Sequence, residues 1–108
     1  MNFIDLYSLA LHQVVAKKML LRETEVLQIA RENHNRWLKS ESFAGGEKNA
    51  LLEWQEIIEN STPKEIQKII TADTDEGQRL RSSSPFAGVL SEVEREKIWN
   101  ECADISPI

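Results

Sequence analysis

Arg79-Leu80-Arg81-Ser82-Ser83-Ser84-Pro85-Phe86-Ala87-Gly88-Val89-Leu90 is the stretch on which the fold of this chain turns. Three serines, a proline and a glycine argue against helix through its middle, yet Phe86, Val89 and Leu90 are too apolar for a solvated connection. The stretch reads as an ordered loop, held down by its own hydrophobic residues and flanked by helices.

Helical signals lie on both sides of it. Downstream, Ser91-Glu92-Val93-Glu94 is a capping box, opening a last helix that carries Val93, Ile98 and Trp99 inward to about Cys102. The tail from Asp104 to Ile108 reads as frayed. Upstream, Asp73-Thr74-Asp75-Glu76 has the same grammar, with Asp73 as cap and Glu76 as its reciprocal partner, for a short helix through Leu80 that Gly77 weakens. Before that, Thr62-Pro63-Lys64-Glu65 combines a capping threonine, a proline at the first helical position and a reciprocal glutamate. Ile66, Ile69 and Ile70 give this helix its buried face.

A longer helix over about Glu47 to Glu59 buries Ala50, Leu51, Trp54, Ile57 and Ile58, with Glu53, Glu56 and Glu59 outward. It follows a loop over Ser40 to Gly46, which Phe43 is expected to tuck down. In the first forty residues Phe3, Leu6, Tyr7, Ala10, Leu11 and Val14 form one stripe, with Ile4 and Val15 at its edges and Leu9 off it. A second stripe runs through Val26, Leu27, Ala30, His34, Trp37 and Leu38. A short break at Arg22 to Glu25, with Thr24 as cap, would make the two an antiparallel pair. No strand pattern or repeat occurs. The expectation is one all-α domain over residues 1–108, a compact bundle of about six helices.

Composition agrees. The chain has 108 residues, 41% hydrophobic and 29% charged, which suits one globular core. No apolar run nears the roughly 20 residues of a membrane span, and no basic segment precedes an apolar one, so a cytoplasmic protein without a membrane partner is expected. The lone Cys102 excludes an internal disulfide and, beside Glu101 and Asp104, disfavours a reactive thiolate. The net charge of −5 is asymmetric: six basic residues face four acidic ones up to Ser40, and seven face fourteen beyond it. The second half would favour a basic surface on a partner.

Motifs for reaction chemistry are missing from the sequence. His12 and His34 have no metal-ligand spacing, and no nucleophile elbow, phosphate loop or dinucleotide glycine pattern occurs. No catalytic residue, metal or cofactor is therefore assigned. Arg79, Arg81, Ser82, Ser83 and Ser84 could donate several hydrogen bonds to a phosphate or carboxylate, and with Phe86 they are the candidate partner or anion site. The competing reading is a structural corner, since arginines suit the negative end of a helix and serines interrupt helices by bonding to backbone. For nucleic acid, Lys17, Lys18, Arg22, Arg31 and Arg36 form a candidate basic patch, diluted by Glu23, Glu25 and Glu32.

Ala30-Arg31-Glu32-Asn33-His34-Asn35-Arg36-Trp37-Leu38, Glu53-Trp54-Gln55-Glu56-Ile57-Ile58 and the stretch from Leu80 to Leu90 together resemble small helical bacterial proteins of toxin–antitoxin or defence loci. The resemblance covers most of the chain. It implies an antitoxin-like protein that binds and neutralises a cognate protein partner, a toxin for example, without catalysis. A DNA-binding regulator is the alternative, and self-association is left open.

Overall fold

A computed structural model describes residues 2–39 and 46–105. Among the described residues the chain forms five helices and no strand: α1 (Phe3–Leu38), α2 (Gly46–Asn60), α3 (Pro63–Ile70), α4 (Asp75–Arg81) and α5 (Glu92–Ile105). The bundle is all-α as expected, with five helices rather than six.

The difference lies in α1. Its 36 residues would span about 54 Å if straight, yet the longest dimension of the molecule is 39 Å. Backbone angles at Arg22 (φ −140°, ψ 50°) leave the helical region, and there α1 folds back on itself. Residues far apart along it consequently meet the same loop: His12 Nε2 lies 2.8 Å from Ser84 Oγ, and Asn33 Nδ2 lies 3.0 Å from the Pro85 carbonyl. The expected break is present, inside one element whose two arms both reach that loop. Leu20 and Leu21, beside the fold, are exposed.

The buried stripe of the first arm is Leu9, His12, Val15 and Met19, rotated from the expected one. Phe3, Leu6, Tyr7, Ala10, Leu11 and Val14 pack half-buried along its flank. The arm is covered from two sides, so Leu9, which falls outside the single stripe, is buried. On the second arm Val26, Leu27, Ala30 and His34 are buried as expected, and Asn33 joins them. His34 is sealed in, with Nε2 2.5 Å from the Leu51 carbonyl.

Three helix starts follow local chemistry. Thr62 and Glu65 form the reciprocal capping box, as do Ser91 and Glu94. The third corrects the reading of the sequence: Thr74, one residue later than Asp73, caps α4 by accepting from the Gly77 amide at 3.0 Å. Glu76 is thereby released to pair with Arg79. Gly77 has a packing role, because a Cβ there would stand 2.2 Å from the Ala72 carbonyl oxygen. Glycine lets α4 lie against the end of α3.

The core gathers both arms of α1 with Trp54, Ile58, Ile66, Ile70, Leu80, Phe86, Val89, Leu90, Ile98 and Cys102. Trp54 is fully buried and its indole N–H donates to the Leu80 carbonyl at 2.9 Å. On α5 the expected inward residues divide: Ile98 is buried, Val93 is exposed and Trp99 is half-exposed. Trp99 meets Phe3 and Tyr7 edge-on, at ring separations of 4.5 and 4.9 Å, and ties α5 to the start of α1. Helix α5 runs on through Asp104 to Ile105. The rest of the expected tail and the loop around Phe43 lie outside the described residues.

Candidate functional site

Two arginines separated by one residue on α4 emerge on different sides of the helix, as a rotation near 200° requires. Arg79 faces outward. Its Nη1 and Nη2 donate to the two oxygens of Glu53 at 2.7 and 2.9 Å, and its Nε to Glu76 at 3.1 Å. The guanidinium hydrogen bonds hold both carboxyls below the usual carboxylate range. Most of its donors are thus engaged by the protein's own acids.

Arg81 faces inward and is 4% exposed. Nη1 donates to the Ala72 carbonyl at 2.6 Å and lies 3.4 Å from that of Ile70. Nε and Nη2, on the opposite edge of the same plane, are buried without a partner among the described residues. Burial lowers the pKa of the group while Asp73 and Asp5 oppose the shift, and an arginine stays charged under such pressure. Unpaired buried donors are rare and costly.

The serines are committed differently from the expectation. Ser82 Oγ donates to the Arg79 carbonyl at 2.6 Å and Ser83 Oγ to that of Leu80 at 3.4 Å, so both bond back to the turn that ends α4. Ser84 joins His12. Nδ1 of His12 lies 2.7 Å from the Ser8 carbonyl and must donate to it, leaving Nε2 to accept from the Ser84 hydroxyl. Burial lowers the His12 pKa, consistent with a neutral ring.

A serine bonded to an oriented histidine is also the arrangement of a nucleophile and its base. The surroundings favour a fastening. The Ser84 hydroxyl accepts from the Phe86 amide at 3.3 Å, the Ser83 and Ser84 amides are bonded to Leu80 and Arg81 carbonyls, and Pro85 has no N–H. Those donors are already used and offer no hole for an oxyanion.

Asn33 fastens the loop from the other arm, donating to the Pro85 and Ala87 carbonyls at 3.0 and 2.6 Å. A turn from Phe86 to Val89 follows, with Gly88 at φ +89°, a conformation that favours glycine. Phe86, Val89 and Leu90 are buried, as the hydrophobic pattern of the loop predicts.

Between the two arms and this loop lies a cleft of about 770 Å³. Leu11, Val15, Trp37, Leu51, Phe86 and Leu90 supply apolar walls, Arg81 and Arg95 supply charge, and among the described residues no carboxylate lines it. Of the expected site, Arg81, Ser82, Ser83, Ser84 and Phe86 come together here, and Arg79 does not. His12, Asn33, Trp37 and Arg95 were not in that expected set. Asn33 carries a readable signal: a polar residue on the face of Ala30, His34 and Trp37. Arg95 carries none, because only the fold brings α5 to the cleft.

The candidate basic patch is partly neutralised. Lys18 pairs with Glu94 at 2.8 Å, and that contact with the Ser91 amide bond takes Glu94 down to about 2. Arg22 lies 4.0 Å from Glu25, and Arg36 donates to the Asn33 side chain. Lys17 and Arg31 are exposed. Among the described residues no helix is long and apolar enough to cross a membrane. No family model, curated protein or solved structure matches this chain.

Proposed function

We propose that this is a non-catalytic, antitoxin-like binding module that takes a segment of a cognate protein into the cleft between the arms of α1 and the 82–90 loop. One observation carries the reading: an apolar cleft that, among the described residues, contains two arginines and no carboxylate, in a protein whose net charge is −5. Such a concave site, with a few polar groups converging on apolar walls, suits recognition. Burial of a charged group in a cleft wall costs stability, which a purely structural corner would not need.

Hydrolysis by Ser84 and His12 has less support, since the Ser83, Ser84 and Phe86 amides next to the hydroxyl are already bonded. DNA binding through α1 has less support too, because Lys18 is paired with Glu94 and Glu23, Glu25 and Glu32 are interspersed with the remaining basic residues.

Co-expression with the product of the adjacent gene tests the proposal. A stoichiometric complex on size exclusion, lost in Leu11→Lys and accompanied by relief of any toxicity of the partner, is expected. Failure of the wild type to form that complex, or an unchanged complex with Leu11→Lys, contradicts it.

A further inference from the structure

The unpartnered atoms of Arg81 say what the cleft recognises. Nε and Nη2 share one edge of the guanidinium and present two parallel N–H groups. Two oxygens on one atom match that fork, as in a carboxylate or a phosphate. The surrounding donors decide between them. Ser82 and Ser83 give their protons to backbone carbonyls, and Ser84 gives its proton to His12. A carboxylate needs little beyond the fork, whereas a phosphate would bury further oxygens with few donors to meet them.

We propose that the cleft selects a carboxylate carried on an apolar body, with the carboxylate on the Nε/Nη2 edge of Arg81 and the body between Leu11, Trp37, Leu51 and Phe86. The inference rests on the cleft being a recognition site and adds the chemistry of what enters. Asp5 and Asp73 act on Arg81 through their charge, but neither is hydrogen-bonded to it. The edge is covered by protein, so a ligand reaches it by parting the side chains over it, and two charge-assisted bonds offset that cost.

The resonance of the Arg81 Nε–H group in the full chain reads the contact directly. Titration with sodium octanoate is expected to move it saturably, together with the Trp37 indole signal. Octanol should bind at least tenfold more weakly, and inorganic phosphate should leave Arg81 unmoved. Arg81→Lys, which keeps a charge and loses the fork, should weaken octanoate at least tenfold, and Arg81→Met should abolish the preference for octanoate over octanol.

Equal binding of octanoate and octanol overturns the inference, as does phosphate binding as strongly as octanoate. An Arg81 signal indifferent to octanoate also overturns it, as when Asp5 or Asp73 occupies the edge in solution. The wild-type comparison of the probes needs no variant to fold. Octanoate binding without a protein partner removes only the partner reading; a partner complex with no octanoate preference removes only this one.

Discussion

Arg79 and Arg81 have the same side chain, two positions apart on α4, and opposite circumstances. Arg79 stands in solvent with its donors shared between Glu53 and Glu76. Arg81 is sealed against the cleft with one edge unpartnered among the described residues. Charge satisfied at a surface contributes little to stability and offers nothing to a ligand, whereas charge held inside at a cost is available for recognition. Substitution on the inner face of α4 should therefore tell on recognition even where stability hardly changes, and substitution on the outer face should not.

The inner face can be broken most severely at Trp54, which props Leu80 through its indole N–H. Trp54→Ala should cost about 3–5 kcal/mol in chemical denaturation, and a cost under about 1 kcal/mol would show that the loop does not depend on this wall. Asn33→Leu removes both bonds to the Pro85 and Ala87 carbonyls and should cost about 2–3 kcal/mol. Its octanoate affinity should fall with it, because the loop that positions Phe86 loses its second fastening.

Acid acts on the same face. Burial lowers the folded-state pKa of His12, so the unfolded chain takes up that proton at higher pH than the folded one. The melting temperature is expected to fall as pH drops through the ordinary histidine range, near 6.5, toward the folded value. His12→Phe should flatten that decline. Glu94 acts in a separate, lower window: its stabilising pair with Lys18 is complete above the usual carboxylate range and lost toward about 2.

The smallest effects sharpen the contrast. Arg81→Met should change stability by less than about 1 kcal/mol, since relief of the buried charge offsets the loss of the Ala72 bond, while removing selective octanoate binding. Arg79→Ala should cost about 0.2–1 kcal/mol and leave octanoate binding intact. Loss of octanoate binding in Arg79→Ala with retention in Arg81→Met would invert the comparison.

Much of the fold is legible in local patterns. The boxes at Thr62 and Ser91, the break near Arg22 and the apolar anchors Phe86, Val89 and Leu90 are decided by neighbours in sequence. The cap of α4 is less legible because Asp73 and Thr74 are both good caps, and the approach of Gly77 to Ala72, a tertiary contact, accompanies the choice of the later one. The stripe of the first arm fails as a guide to burial because neighbours cover that arm from two sides.

The candidate site is legible only by halves. Its arginines and serines stand out in sequence, but their division does not: which of Arg79 and Arg81 is free depends on where Glu53 arrives from α2. His12 and Arg95 reach the cleft through contacts spanning most of the chain, and no spacing rule contains them. Polar residues on an apolar stripe, such as His12 and Asn33, were the available hint.

The cleft exists because α1 folds back at Arg22 and closes both arms on one loop. Spin labels at Ile4→Cys and Asn35→Cys, in a Cys102→Ser background, measure this directly by electron–electron distance. Folded arms place the labels within about 30 Å; a continuous straight helix would separate them by roughly 47 Å, and a distribution centred there would contradict the account.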